Sequence, residues 1–308
     1  MKIVFIINPA AGNGRALKRW RRFEKTIQFP FEQVVTTYSG HALAIAANYR
    51  ESKQVALLIG FGGDGTLREI IAGAAGSEKL IVGSIAAGSG NDFGRAYGTF
   101  TDAQVIEQFL HKPLPKRQDL GEFTNGKAFQ FVSSSGIGFD AEISISVNRS
   151  PLKKKLNQLG LGKLVYVVYV IRTLLKFEKF TLSVKCDGNL VTYKDVWLAT
   201  VNNQPYFGGG MKISPSSKTD DGLLELTVVH KISRLKLLLV FGTVFSGAHT
   251  RFKEVIQMSS TEFWLSTEKP VCRHVDGDDA GMSPANDLVS YTVSQTDWQS
   301  IKLTDYIS

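Results

Sequence analysis

Short, unbroken apolar runs alternate with helical spacing over residues 1–120. Residues 3–7 (IVFII) are continuously apolar and stop at Asn8-Pro9, the pattern of a strand covered on both faces. Runs at 56–59 and 80–85 repeat it, and a weaker one falls at 34–36. Between them, 15–27, 41–50 and 67–75 carry helical spacing, with good helix formers such as Ala44, Ala46 and Ala47. This alternation predicts an α/β fold: a doubly wound parallel sheet with helices on both faces. The pattern then changes. Strand-like runs at 128–132, 181–186, 191–201, 223–229 and 261–266 are separated by turn residues, with Asp187-Gly188 as a hairpin turn. Helical spacing returns only at 164–176 and 233–246. A β-rich, sandwich-like second domain is expected. The boundary near Pro113 and Pro115 gives domains at 1–120 and 121–288, and 289–308 is expected to pack back on the first.

A chain of 308 residues suits two domains. With 43% hydrophobic and 21% charged residues it is neither disordered nor collagen-like. The longest clean apolar stretch, Leu164 to Ile171, falls short of the ~20 residues a membrane span needs. No A-x-A cleavage signal precedes the first motif, so no secretory leader is expected. Cys186 and Cys272 form neither a disulfide framework nor a metal pair, and a reducing, cytoplasmic setting is expected. His41, His230, His249 and His274 show no metal-ligand spacing. The net charge of +8 favours anionic partners: nucleotides, nucleic acid or anionic lipid. Without a zinc knuckle or an RNA-binding aromatic pattern, nucleic acid is set aside.

Gly60-Phe61-Gly62-Gly63-Asp64-Gly65-Thr66 follows the third apolar run directly. Its glycines permit close approaches that side chains forbid. Such a loop, at the carboxyl end of a parallel strand and opening a helix at Leu67, lies where open α/β sheets bind ligands. Backbone N–H groups and the helix N-terminus are then available to phosphate oxygens. It is neither a Walker loop nor the G-x-G-x-x-G fingerprint. By itself it also reads as a tight strand–helix turn capped by Asp64 and Thr66. Two companions change that reading. Asn8-Pro9-Ala10-Ala11-Gly12-Asn13-Gly14 follows the first run, and Gly88-Ser89-Gly90-Asn91-Asp92-Phe93 follows the fourth. Three such loops on one sheet should converge on one edge, which points to a nucleotide-phosphate site without a Walker lysine.

Taken in order, Asn8-Pro9-x-x-Gly12, Gly62-Gly63-Asp64-Gly65-Thr66 and Gly88-Ser89-Gly90-Asn91-Asp92-Phe93 resemble the catalytic domain of the diacylglycerol kinase family, most of all its soluble bacterial lipid kinases. The resemblance spans nearly the whole chain. It continues in Thr36-Thr37-Tyr38-Ser39-Gly40-His41-Ala42, Gly208-Gly209-Gly210, Asp220-Asp221-Gly222-Leu223 and Asp276-Gly277-Asp278. It implies an ATP site lined by Asn8, Pro9, Ala10, Ala11 and Gly12, by Thr36, by Gly62, Gly63, Asp64, Gly65, Thr66, Leu67 and Arg68, and by Ser89, Asn91 and Asp92. Ser89 stands where the family usually has threonine, and it keeps the hydroxyl. The resemblance also implies Mg²⁺ on the Asp221 carboxylate beside the backbone of Lys218 and Leu223, a shell that magnesium accepts. The implied general base is Asp278, where the family usually has glutamate; the neighbouring Asp279 stays open as an alternative. Such a carboxylate can accept the proton of a substrate hydroxyl as it attacks the γ-phosphate. A carboxylate inside a phosphate loop repels ATP unless it binds metal or orients the loop, so Asp64 is expected to do one of these, with Asp92 in support.

The implied activity is transfer of the γ-phosphate of Mg-ATP to a lipid hydroxyl, diacylglycerol first. A sphingoid base, another lipid alcohol or NAD as acceptor stays open, as does a non-catalytic nucleotide- or lipid-binding regulator. Basic residues cluster at 15–25, and at 150–180 they interleave with leucines such as Leu152, Leu156 and Leu159. That mixture suits peripheral contact with an anionic membrane. A homodimer is left open.

Overall fold

The structure is a computed structural model that describes residues 1–88, 90–150 and 162–302. Ser89 and the basic, leucine-bearing residues at 151–161 therefore lie outside the described residues. The chain forms two compact units. The first comprises Met1–Leu120, the short segment Gly208–Gly210 and the chain from Gln295 onward.

In this unit, β1 (Lys2–Ile7), β2 (Glu32–Val35), β3 (Ala56–Gly62) and β4 (Leu80–Ala86) are parallel neighbours in the order β2-β1-β3-β4. The last strand, Trp298–Ile301, runs parallel to β4 and antiparallel to β5 (Pro115–Gln118). The apolar runs of β1, β3 and β4 are buried on both faces because helices cover both, whereas the edge strand β2 is mostly exposed. Phe5, Ile59 and Phe61 share a core with Trp20 of helix Ala16–Phe23 and with Ile106 and Phe109 of helix Ala103–His111. The opposite face is so close to helix Asp64–Ala74 that a Cβ on Gly60 would lie 2.9 Å from Leu67 and Ile70 carbons. That helix crosses helix His41–Glu51 at Gly73, where a Cβ would meet the Leu43 carbonyl at 2.4 Å. It starts three residues before the apolar spacing at 67–75 suggests, because Asp64-Gly65-Thr66 already forms its first turn.

The second unit comprises Gly121–Phe207 and Met211–Ser294. Its strands are β6 (Gly121–Asn125), β7 (Lys127–Phe131), β8 (Ser134–Gly138), β9 (Phe180–Cys186), β10 (Asn189–Asn202), β11 (Leu224–His230), β12 (Val255–Ser260), β13 (Glu262–Thr267), β14 (Val271–Val275), β15 (Asp278–Ser283) and β16 (Val289–Val293). They pair antiparallel in the order β15-β14-β8-β10-β9-β13-β16-β6-β7, with β11 and β12 added at β10. The segment at 289–293 thus belongs here rather than to the first unit: Val289 and Tyr291 are buried and register with Leu265 and Phe263 of β13. The Asp187-Gly188 turn has φ of 48° and 78°, the paired left-handed angles of a two-residue hairpin loop. The 233–246 segment is a helix only to Phe241 and tightens into a 3₁₀ turn at Gly242–Ser246.

β8 and the helix Phe139–Arg149 have no counterpart among the expected elements. β8 reads SSGIG, with Ile137 as its one branched residue among small ones. Its glycines are steric necessities. A Cβ on Gly136 would lie 2.3 Å from Asp140 and 2.4 Å from His274, and one on Gly138 would lie 2.5 Å from the Trp197 carbonyl.

Candidate active site

The parallel register carries three glycine-bearing loops to one edge of the first sheet. Ile7 pairs with Phe61, and Gly62 with Ala86, so the loops leave β1, β3 and β4 side by side. The contacts between them are backbone to backbone. The Asn8 amide donates to the Phe61 carbonyl at 3.1 Å, and the Ala87 amide to the Gly62 carbonyl at 3.0 Å. A Cβ on Gly12 would lie 2.5 Å from the Ala87 oxygen, and one on Gly88 would lie 2.5 Å from the Gly63 Cα. Gly12 and Asn13 adopt φ of 58° and 59°, so the chain turns at once after Pro9-Ala10-Ala11.

Asn8 joins two of the loops: its Nδ2 donates to Thr66 Oγ1 at 2.9 Å, and its Oδ1 accepts the Ala10 amide at 3.0 Å. Thr36 closes the group from β2, with its amide on the Ile7 carbonyl at 2.8 Å. The side chains of Thr66 and Leu67 point inward. Thr66 is buried beneath Asn8, and Leu67 is a core residue under Gly60, so these positions face the edge through backbone alone. Residues 62–64, Asn91 and Phe93 line a small cleft here. Among the ATP-site positions read from sequence, Ser89 lies outside the described residues.

Asp64 and Asp92 have different surroundings. Asp64 Oδ1 accepts the Phe93 amide at 2.9 Å, which ties the second loop to the third. Burial pushes the Asp64 carboxyl above the usual carboxylate range, and the nearby charge of Asp92 adds to this, while the Phe93 amide opposes it. Asp92 is also buried but richly partnered. Its oxygens accept the Gly209 and Gly210 amides, each at 2.7 Å, and the Arg95 guanidinium at 2.9 Å. Gly208, Gly209 and Gly210 all have positive φ (64°, 92° and 101°), a run that only glycine tolerates and that aims successive amides at one carboxylate. A divalent cation beside Asp64 would relieve its unfavourable charge, so this carboxylate suits a metal-linked phosphate. Asp92 is committed to holding the loop.

In the second unit, Asp276-Gly277 is the two-residue turn of the β14–β15 hairpin, with φ of 49° and 85°. It is braced both from outside the hairpin and from its own strand β14. The Asp276 carboxylate accepts three consecutive amides, Val132, Ser133 and Ser134, at 2.9, 2.7 and 3.0 Å. The Gly277 amide donates to His274 Nδ1 at 3.3 Å, and the Gly277 carbonyl accepts Asn148 Nδ2 at 3.0 Å. Because Nδ1 accepts, Nε2 carries the proton of a neutral ring and donates to Asp140 Oδ2 at 3.0 Å. His274 is fully buried and stacks on Phe207. Asp278 opens β15 on the exposed side. Asp279 is ion-paired with Arg149 and accepts the Gly281 amide at 3.0 Å. The Gly281 amide and then Arg149 hold the Asp279 carboxyl below its usual range, so it accepts a proton less readily than a free carboxylate.

Asp221 lies in an exposed turn where its Oδ1 accepts the Leu223 amide at 3.2 Å. Two residues beyond Leu223, Glu225 is 4% exposed, and one of its oxygens accepts Ser259 Oγ at 3.2 Å. Burial raises the Glu225 carboxyl, the Ser217 hydroxyl opposes this, and the charge of Asp221 adds to it. A buried carboxylate near an exposed one fits a hard cation that keeps several waters. Among the described residues, no group of three or more His, Cys, Asp or Glu side chains forms a metal cluster. Lys218 and Leu223 would contribute only carbonyl oxygens. The sequence motif at 220–223 stops short of Glu225; an acid within a strand whose every other residue but the last is buried is the signal that marks it.

Residues 2–122 match the diacylglycerol kinase catalytic domain, and residues 133–294 match the YegS C-terminal NAD kinase beta sandwich-like domain. A Bacillus subtilis protein named "Putative lipid kinase YtlR" is 28% identical over 291 residues, covering 91% of this chain and 94% of its own. A Mycobacterium tuberculosis diacylglycerol kinase is 28% identical over 263 residues, covering 82% and 81%. A crystal structure of a diacylglycerol kinase from Bacillus anthracis has the same fold, with a TM-score of 0.70 at 21% identity over 99% of this chain and 98% of that one. With both halves matched in order along one chain, this protein pairs a diacylglycerol kinase catalytic domain with a YegS C-terminal NAD kinase beta sandwich-like domain, and by the latter match, over more than half of its length, it belongs to that domain's family.

Proposed function

We propose that the chain is an ATP-dependent lipid kinase that moves the γ-phosphate of ATP to a lipid hydroxyl, with diacylglycerol as acceptor and phosphatidic acid as product, at the cytoplasmic face of an anionic membrane. The observation that carries this reading is the convergence of the Asn8–Gly12, Gly62–Thr66 and Ala87–Asn91 loops on one sheet edge by backbone contacts too close for any side chain. Crowded glycines at the carboxyl ends of parallel strands leave amides for phosphate oxygens. The relatives' names supply the lipid acceptor.

In this reading the three loops hold and orient the triphosphate. Asp64 ties the second loop to the third and would hold Mg²⁺, and Asp92 keeps the third loop in shape through Gly209, Gly210 and Arg95. Bound Mg²⁺ neutralises charge on the β- and γ-phosphates. Asp221, Glu225 and the carbonyls of Lys218 and Leu223 would hold a second, structural Mg²⁺. Asp278 takes the proton of the acceptor hydroxyl as its oxygen bonds to the γ-phosphorus and the bond to ADP breaks. The buried hydrogen bonds to Asp276 and Gly277 fix where Asp278 starts. The reading is tested by incubating the full chain with labelled ATP, Mg²⁺ and a total lipid extract. Label in phosphatidic acid is expected. Label in another lipid corrects the acceptor, and no labelled lipid at all contradicts the reading.

A further inference from the structure

The helix Arg234–Phe241 (RLKLLLVF) buries Leu237 and Val240 and leaves its other leucines in solvent. Leu235 is 71% exposed and Leu239 70%, with Leu238 also exposed, and Phe245 in the following turn extends the row. A soluble face of two turns seldom carries three leucines, and contiguous apolar surface of this kind marks an interaction site.

The row does not end with this helix. Arg234 Nε donates to the Leu174 carbonyl at 2.9 Å and Nη2 to the Phe177 carbonyl at 3.2 Å. These bonds fasten the start of the leucine helix to the end of helix Gly162–Lys176. Beside that joint, Leu175 is 68% exposed, and Val168 and Ile171 continue its stripe at the i, i+3, i+7 spacing of one helix face. The guanidinium also lies 5.8 Å over the Trp197 ring, so the joint is anchored in the core of this unit. Leu175 and Leu235 thus flank one fixed point, which holds the ends of the two rows near each other.

Its charge indicates what covers it. From Val168 to Phe177 and from Lys231 to Lys253 the sequence contains no Asp or Glu, while Arg172, Lys176, Lys231 and Lys253 are exposed cations. Lys236 is ion-paired with Glu254 and exposed Glu178 with Lys269, so cations stay in excess around the apolar centre. An apolar centre with a mainly cationic fringe complements an anionic lipid bilayer, whose acyl boundary takes the leucines and whose phosphates take the cations. A second copy suits it poorly. A two-fold contact sets the same patch against itself and brings like charges together. Neither element is built to cross a bilayer: among the described residues no helix is long and apolar enough.

We propose that the exposed faces of Arg234–Phe241 and of residues 168–176 form a bilayer-docking surface, in which Leu175, Leu235 and Leu239 enter the headgroup–acyl boundary of an anionic membrane. This names the surface for the membrane contact in the proposed function, and its test needs neither nucleotide nor acceptor, so it succeeds or fails apart from phosphate transfer. The full chain is sedimented with phosphatidylcholine vesicles with and without phosphatidylglycerol, at ~50 mM salt where screening is weak and at high salt. Binding is expected only with phosphatidylglycerol, and it should fall as salt rises. Leu235→Gln with Leu239→Gln should weaken binding at least ~10-fold, since two leucine insertions are lost. Leu190→Gln, at an equally exposed leucine far along the sequence, should leave binding unchanged. These positions are exposed, so an unaltered melting temperature is expected and guards against misfolding. Wild-type binding that ignores lipid charge overturns the proposal, as does wild-type-like binding by the double variant. A concentration-dependent dimer that the double variant dissociates, without vesicle binding, assigns the face to a second copy and equally overturns it.

Discussion

The nucleotide-loop edge of the first unit and the acidic hairpin of the second achieve rigidity in opposite ways. At the loop edge, backbone holds backbone: carbonyls and Cα atoms of neighbouring loops pack where a single Cβ would not fit. At the Asp276-Gly277 turn, side chain meets backbone: the Asp276 carboxylate takes the three amides at 132–134, and the His274 and Asn148 side chains hold Gly277. The first arrangement tolerates no added atom. The second tolerates changes of side chain to the extent that the lost hydrogen bond can be replaced. Substitutions should therefore separate the two regions.

The largest effect is expected at Asp64 and Asp278. Asp64→Ala should abolish measurable turnover, and Asp278→Asn should lower kcat by about 10²–10⁴-fold with little change in ATP affinity. Both are read from phosphate-transfer rates alongside ATP titration; near-normal kcat in either removes that residue from its assigned role. Gly12→Ala should act on binding instead. Its Cβ would meet the Ala87 carbonyl at 2.5 Å from a φ of +58°, so the first and third loops must separate and ATP affinity should fall by more than tenfold. Unchanged affinity would mean that the crowding has no bearing on nucleotide.

A smaller effect is expected at the brace. His274→Ala removes the acceptor for the Gly277 amide and should lower kcat roughly tenfold while KM for ATP holds. His274→Asn, which can place an oxygen near the Nδ1 position, should recover part of that loss. A purely structural role would show equal destabilisation without that recovery in kcat.

The smallest effects concern stability. The Asp64 carboxyl is raised in the folded state, so its ionisation opposes folding above the folded pKa, and this cost disappears below the unfolded value near 3.8. Asp64→Asn should therefore raise the melting temperature at pH 7–8, with the gain shrinking as pH falls toward 4, even as turnover is lost. A variant less stable than the parent at pH 7 would contradict this. Arg149→Ala breaks an exposed pair and should cost only about 0–1 kcal/mol.

The same contrast explains what the sequence made readable. Parallel strands buried on both faces show as unbroken apolar runs, and glycine loops at their ends show as spacing, so the first sheet and its three loops are visible without coordinates. The Asp-Gly turn at 187–188 is legible for the same reason, because turn chemistry is local. The brace is not. Asp140 and His274 are 134 positions apart and share no motif, and β8 between their helices and strands is spelled by small residues that sequence pattern assigns to loops. The roles of Thr66 and Leu67 were readable only in part: their loop is evident, but the inward turn of both side chains follows from the register of β3 under helix Asp64–Ala74. The return of the chain after Ser294 rather than at Val289 depends on cross-strand partners, Phe263 and Phe123, that no local pattern shows.

The central claim is that three backbone-packed loops on one sheet edge hold the triphosphate. Hydrogen–deuterium exchange of the full chain with and without Mg-ATP addresses it most directly, because the claim concerns backbone amides. Slowed exchange is expected in peptides covering 8–14, 62–67 and 86–93 together. Protection confined to one of these loops, or centred on amides elsewhere in the chain, would contradict it.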